Sequence, residues 1–474
     1  KQKVSDMVNP DKIKKFWYHK YADAPATLAK MKNVGTLATA FNANVDSVIK
    51  MSGTALTQMI ARSGLRLSEL QKISVKSIHA PEDILRGIFR CFCLGIAEEW
   101  IAEDVEIYRW MKQNLGTDKL QMGAQAGIIA NTMAVTGIRQ VVTHVSALPA
   151  LQADQFLKRN NLLSFDERGQ LKPAHMINRP NEEASIHWII EFSKNDTVTV
   201  EGQTFTCPKS NRFIATYDPM LFNLVIDPHF TAYTGKNPAD YIILSGYQAL
   251  TKQNYGLSLL KKTIPIIRQW KQNNPQTLIH LEIASTQDLS VRRALIRHIM
   301  PIVDSVGINE RETVDLLEAM KCTRLASDCT KNPSAKNLFR ALVKIKQKTA
   351  CPRIQLHMYG LYITLQNLNF PISPSANRNG MILAAVAAAS KAETGQLSEY
   401  EDLTAALGQT VCNEGLKGLE EIGSLVGDPG FAVSGIGNFE EFSVIAVPTI
   451  IVEQPKTLVG MGDTISAFSL IGAR

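Results

Sequence analysis

Seven cysteines in 474 residues are too few and too scattered to make a disulfide framework. Cys91 and Cys93 share one helical pattern, where residues two apart face different ways, so they make a poor metal pair. Cys322 and Cys329 have no second Cys or His couple at zinc spacing. The thiols therefore read as free, in a reducing, intracellular and cytoplasmic setting. No run of about 18 apolar residues occurs, which excludes a membrane-spanning helix. The start, with KIKKFWYHKY over 12–21, has no apolar segment of the signal-peptide kind; Lys1 is not methionine, so a removed targeting segment stays open. Charge is not concentrated either. The net charge is +7, but the basic residues are spread out and not interleaved with aromatics, so no nucleic-acid partner is expected. Mild positive charge suits small anionic substrates. No GxxxxGK[ST] occurs, since Gly235-Lys236-Asn237 lacks the hydroxyl residue, and this excludes a Walker-type nucleotidase. SGIGNFEE (434–441) lacks the third glycine of a dinucleotide fingerprint and does not read as an early strand-to-helix turn, which excludes a dehydrogenase of that type. There is no internal repeat and no low-complexity tract.

What the chain does have is alternation. At 45% hydrophobic and 20% charged it is ordinary globular material, with length for a large core plus a lid. Buried strands are expected at GTLATAF (35–41), VVTHVSAL (141–148), YIILSG (241–246), LIHLEIA (278–284), IVDSVGI (302–308) and RIQLHMYG (353–360). Helical periods lie between them. PEDILRGIFRCFCLG (81–95) puts Ile84, Leu85, Ile88, Phe89 and Phe92 on one face, with Pro81 in its first turn and Gly95 at its end. In an open parallel sheet, loops at the carboxyl ends of strands line the ligand crevice. Short strands over 184–217 are of antiparallel kind and suggest a lid.

The segment TLVGMGDTISAFSLIGA (457–473) predicts a strand ending near Val459, then Gly460-Met461-Gly462-Asp463, then an apolar helix. Two glycines let backbone approach a ligand, and a helix N-terminus aims free amides at an anion. Asp463 would stand beside that anion, placed to take a proton from an attacking hydroxyl, or would simply cap the helix. Asn42, Asn44 and Asp46 follow the first strand in AFNANVDSVIK, where they suit either sugar hydroxyls or an Asx-turn. QMGAQAGIIAN (121–131) places Gly123, Gln125 and Gly127 in a turn before a helix that carries Asn131. Glu282 ends one strand, and Asn309-Glu310-Arg311-Glu312 follow another; acids so placed can hold magnesium beside nucleotide phosphates, usually through water.

In this order and spacing, NANVD, GAQAGIIAN, RFIA, SGYQAL, HLEIAS, SVGINERE, VPT and VGMGDTIS resemble the ADP-dependent glucokinases and phosphofructokinases, the ADP-using branch of the ribokinase superfamily. The resemblance implies an α/β, ribokinase-like fold: a Rossmann-like large α/β/α domain and a smaller α/β lid domain. Residues 1–46, 120–150 and 225–474 would form the large nucleotide-binding domain, and 47–119 and 151–224 the lid. It further implies Asp463 as catalytic base and the Gly460–Gly462 amides as the anion hole. Glu282 and Glu312, with Asp463, would organise Mg2+, directly or through water. Asn44, Asp46, Gly123 and Gln125 would face the sugar. Arg212 would reach a nucleotide phosphate, while Tyr359, Val447, Thr449, Met461 and Gly462 would line the nucleotide site. ADP as the donor comes from the resemblance alone.

Glucose and fructose 6-phosphate differ by a phosphate, so pocket charge should discriminate between them. Glu99 aligns with the sugar-binding glutamate of family glucokinases, with Glu98 one register away; His187 matches a glucokinase histidine. The lysine that phosphofructokinases use for the sugar phosphate corresponds to Ser185, although Lys209 could supply a cation, and Ala124 departs from the family's paired glycines. The expectation is an ADP-dependent glucokinase. A phosphofructokinase or a dual enzyme is the alternative, and a catalytically silent sugar-binding regulator is the reading from another class. The expected partners are a sugar and ADP, with no nucleic acid, no membrane and a monomeric state, since the lid would close the sheet face without a second subunit.

Overall fold

Two sheets of unequal size organise the chain. The computed structural model describes residues 10–72, 77–102, 104–286 and 288–474. Among these, the larger sheet has eleven strands. Seven run parallel side by side, in the spatial order Arg353–Met358, Ser305–Ile308, Leu278–Glu282, Tyr241–Leu244, Thr36–Ala40, Gln140–Thr143 and Leu162–Phe165. Tyr241–Leu244 and Leu278–Glu282 are buried at every position, as befits central parallel strands covered on both faces. Antiparallel strands finish both edges: Leu171–Pro173 at one, and Leu361–Asn367, Phe442–Pro448 and Ile436–Phe439 at the other. The α/β/α large domain with a smaller α/β unit is the architecture that the sequence predicts.

The second sheet has six strands and its own hydrophobic core, separate from that of the large sheet. It is mixed rather than purely antiparallel. Ile186–Phe192 runs antiparallel to Asn211–Tyr217 but parallel to Asn44–Lys50, and Glu98–Ala102 lies parallel to Asn211–Tyr217. Helix Pro81–Leu94 covers one face, burying the five predicted apolar residues and stopping at Gly95 in the left-handed conformation. The hairpin Thr197–Val200 with Gln203–Thr206 stands apart as a two-stranded ribbon.

Several expected boundaries move. Asn44 and Asp46 lie in a strand, not in a loop, because Asn44–Lys50 is hydrogen-bonded on both sides. Lys119–Gly123 is an edge strand of the small sheet, whereas Leu162–Phe165 and Leu171–Pro173 extend the large one; sheet membership therefore departs from the ranges 1–46, 120–150 and 151–224. The strands expected over 141–148 and 302–308 are shorter, Gln140–Thr143 and Ser305–Ile308. No strand precedes Gly460: Thr457–Val459 is loop, and Leu458 is 69% exposed with no neighbouring strand to pair it. All seven cysteines are free, and no helix among the described residues is long and apolar enough to cross a membrane.

Candidate active site

Helix Met461–Ile471 begins at Gly460, whose φ of 66° is left-handed and costs glycine nothing. No side chain caps this end, so the predicted capping role of Asp463 is not seen and the first-turn amides are left for an anion. The Gly460 carbonyl accepts from Thr464 N at 3.1 Å, Thr464 Oγ1 at 2.8 Å and Lys391 Nζ at 3.2 Å. Lys391 comes from helix Pro374–Thr394, whose alanine-rich body packs closely on Met461–Ile471. Gly380 makes the approach possible, since a Cβ there would lie 2.6 Å from the Ser469 carbonyl.

Buried charge surrounds this turn. Asp463 is 8% exposed, and burial pushes its carboxyl up to about 6; Lys391 and a hydrogen bond from Gln125 pull it down, while Asp46 pushes it up. Burial likewise raises Glu312 to about 8. A backbone bond at Asn309 opposes this, and Asp463, Asp315 and Glu310 add to it. Glu282 is held well above the ordinary carboxylate range by burial, then by Asp463 and Glu312. His280 contacts Glu282 Oε2 at 3.1 Å, but burial keeps that imidazole neutral, so it offers no countercharge. Burial lowers Lys391 to about 8, and Asp463 holds it up.

Opposite stands one face of the small sheet. Asp46 is in register with His187, and His187 with Thr216, whose hydroxyl donates to Glu99 Oε1 at 2.7 Å. Strand alternation sends Glu98 to the other face, where Arg90 and the Trp100 indole hold it. Burial draws the His187 imidazole down, but the carboxylates of Asp218, Glu99 and Asp46 outweigh it and hold it up at about 8. Asp218 accepts from Ser185 Oγ at 2.7 Å and lies 3.3 Å from His187 Nε2. Burial raises Asp46 to about 6, opposed by His187 and by an Asn44 hydrogen bond. Gly123 packs under this pair: a Cβ there would fall 2.1 Å from Asp46 Oδ1. Ala124 takes φ 56° and ψ 156°, a strained region for any residue with a Cβ. Asn44 Oδ1 and Gln125 Oε1 are buried without hydrogen-bond partners.

A third feature is a cavity of about 700 Å³ beside the turn. Ala385, Ala389, Ile450 and Ile465 give it apolar walls, and Met461 and Gly462 reach its inner end. Tyr359 and Leu458, both 69% exposed, stand at its rim.

A model of the ADP-specific phosphofructokinase/glucokinase conserved region matches residues 35–472. The chain belongs to this family of ADP-dependent sugar kinases. An ADP-specific phosphofructokinase of Methanosarcina acetivorans is 28% identical over 451 residues, covering 91% of each chain. An ADP-dependent glucose/glucosamine kinase of Pyrococcus abyssi is 32% identical over 470 residues, covering 96% of this chain and 98% of the relative. A solved ADP-dependent kinase in complex with fructose 6-phosphate and ADPβS is 27% identical, with a TM-score of 0.82 over 96% of this chain and 97% of its own.

Within this member of the family, the predicted residues sort by place. Asp463, Gln125, Asp46, Glu282 and Glu312 share one electrostatic field, and Asn44, Gly123, His187 and Glu99 join Asp46 on the lid. Tyr359, Thr449, Met461 and Gly462 border the cavity. Val447 does not: it is fully buried in strand Phe442–Pro448, paired with Tyr362. Arg212 sits on the lid beside Lys50 and Glu191, away from that cavity, though its charge still reaches Asp46. Lys209 packs against Gly95, beyond the start of its strand and away from the Thr216–Glu99 pair. Asn42 braces the scaffold, its Oδ1 accepting from Ser245 Oγ at 2.5 Å. Sequence reasoning missed Thr216, Asp218, His357 and Lys391. His357 lies beneath the turn, 2.8 Å from where a Cβ on Gly462 would stand, and burial lowers it to about 4. For Lys391 one signal existed: it is the only charge in the run MILAAVAAASKA.

Proposed function

We propose that the chain transfers the β-phosphoryl group of ADP to the 6-hydroxyl of glucose, giving glucose 6-phosphate and AMP. The observation that carries this is the position of Asp463. It is buried at an uncapped helix N-terminus, and its charge is coupled to Asp46 of the lid on one side and to Glu282 and Glu312 on the other. A carboxylate held near neutrality is suited to general-base work. In this reading Asp463 takes the hydroxyl proton as the sugar oxygen bonds to phosphorus. The bond from phosphorus to the bridging oxygen breaks, and AMP leaves with that electron pair. The first-turn amides at Gly460–Gly462 receive the charge on the transferring oxygens. Tyr359 and the apolar cavity walls would hold the adenine.

On the acceptor side, the unpartnered acceptors Asn44 Oδ1 and Gln125 Oε1 fit sugar hydroxyl donors. Glu99 adds a carboxylate that would accept from glucose and repel a sugar phosphate. Ser185, bonded to Asp218, supplies no cation there. The same face carries charged His187 and Arg212, and this favours fructose 6-phosphate, or use of both sugars, as the second reading.

The acidic group also fits Mg2+. Asp463 raises the proton affinity of both Glu282 and Glu312, and Glu312 raises that of Glu282, which a divalent cation would relieve. Among the described residues no three acidic, His or Cys side chains converge into a ready ligand set. When bound, the ion would neutralise phosphate charge. We assign the protein to the cytoplasm, with free thiols in support. The test is a coupled assay with magnesium crossing ADP and ATP with glucose and fructose 6-phosphate. ADP-driven turnover with glucose in excess of fructose 6-phosphate is expected; turnover with ATP alone would overturn the donor assignment.

A further inference from the structure

We propose that Lys391 is the positioning residue of the phosphate turn. It is a buried ammonium that pins the Gly460 carbonyl and so holds the first-turn amides and Asp463 on the transferring phosphoryl group. This rests on the reading that the turn binds the β-phosphate.

The argument begins with cost. Lys391 is only 8% exposed, and a buried ammonium is retained only where its donors are used. Its position in the last turn of helix Pro374–Thr394 suggests the ordinary role of a cation at a helix C-terminus. The side chain does something else. Nζ leaves its own helix and donates to Gly460 O at 3.2 Å and Thr464 Oγ1 at 3.4 Å, both on the facing helix end. There it meets the positive end of helix Met461–Ile471, an electrostatically poor place for a cation, offset in part by the Asp463 carboxylate of the same turn. Fit is tight as well. A Cβ on Gly460 would approach both Lys391 Nζ and Ile128 Cγ2 to 2.8 Å, so the turn, the lysine and helix Gln125–Ala134 fix one another. That third helix begins at Gln125, whose side chain bonds Asp463. One ammonium thus braces the turn from which the amides and the carboxylate are aimed, beside the helix that carries Gln125.

The experiment compares Lys391→Met, Lys391→Gln and Lys391→Arg in the full chain. Turnover with ADP, sugar KM, and the dissociation constants of ADP and of AMP are measured, with Tm as the control for folding. AMP lacks the β-phosphate, so ADP should weaken about tenfold in Lys391→Met while AMP stays within about twofold, and kcat should fall about a hundredfold at nearly unchanged sugar KM. Lys391→Gln, which keeps a donor without the charge, should lie between Met and wild type, and Arg should restore part of the ADP preference. Equal weakening of ADP and AMP, or a lower Tm with unchanged kcat, would make Lys391 a packing residue and overturn the proposal. Absence of wild-type turnover with every donor and acceptor pair would overturn the functional reading instead, and the ADP-to-AMP ratio would still decide the role of Lys391.

Discussion

On the large-domain side of the crevice, the groups that would meet phosphate are backbone amides at Gly460–Gly462 and charges buried around them. On the lid side, the groups that would meet sugar are side chains spread over four strands: Asp46, His187, Thr216 and Glu99. The first set is fixed by helix packing and glycine geometry, so one substitution there disturbs the chemistry itself. The second is a row of alternate positions on an open sheet face, where one residue can change without altering the backbone.

The largest expected effect would break the comparison if it failed. Asp463→Ala should lower kcat by roughly a thousandfold with sugar binding nearly intact, measured by steady-state kinetics and calorimetry. Near-normal turnover would mean that the chemistry is not carried by the helix turn. A smaller effect tests the lid: Glu99→Ala should weaken glucose use about tenfold and fructose 6-phosphate use less, read as the ratio of kcat/KM values. An equal loss for both sugars would move specificity elsewhere on the sheet.

The smallest effect concerns stability. Glu312 is raised from an ordinary 4.5 to about 8, and His187 from 6.5 to about 8, so the folded state holds these protons more tightly than the unfolded one. Their stabilising contribution is full below the unfolded values and is lost as pH rises through about 8. Tm of the metal-free, ligand-free protein should therefore fall between pH 6.5 and 8, on the order of 2 °C. Glu312→Gln should flatten that slope while leaving the His187 share, which separates the two sides of the crevice. A Tm that rises over this interval would contradict the arrangement.

Much of this was legible along the chain. Helix Pro81–Leu94 announces itself through its apolar face, and Tyr241–Leu244 and Leu278–Glu282 through unbroken apolar runs. The GMGD turn was readable because two glycines before an apolar helix have few local alternatives. Asn44 and Asp46 were harder. Asn and Asp favour turns locally, yet ladder bonds on both sides keep them in a strand. Thr457-Leu458-Val459 shows the reverse: it is apolar enough for a strand but has no partner to make one. Thr216 and Asp218 carried no signal, since what marks them is a bond to Glu99 and a contact with His187 from elsewhere in the chain.

By itself the sequence determined the α/β class, the buried strands, the glycine turn with its aspartate and the joint order of motifs that marks the family, because each depends on local periodicity or on residue types at fixed spacing. Only the tertiary structure decided which sheet each strand joins, which of Glu98 and Glu99 faces the crevice, and that a lysine from a distant helix bonds the Gly460 carbonyl. Those facts depend on pairing and packing between segments far apart in the chain, and hydrophobic pattern alone does not name the partner.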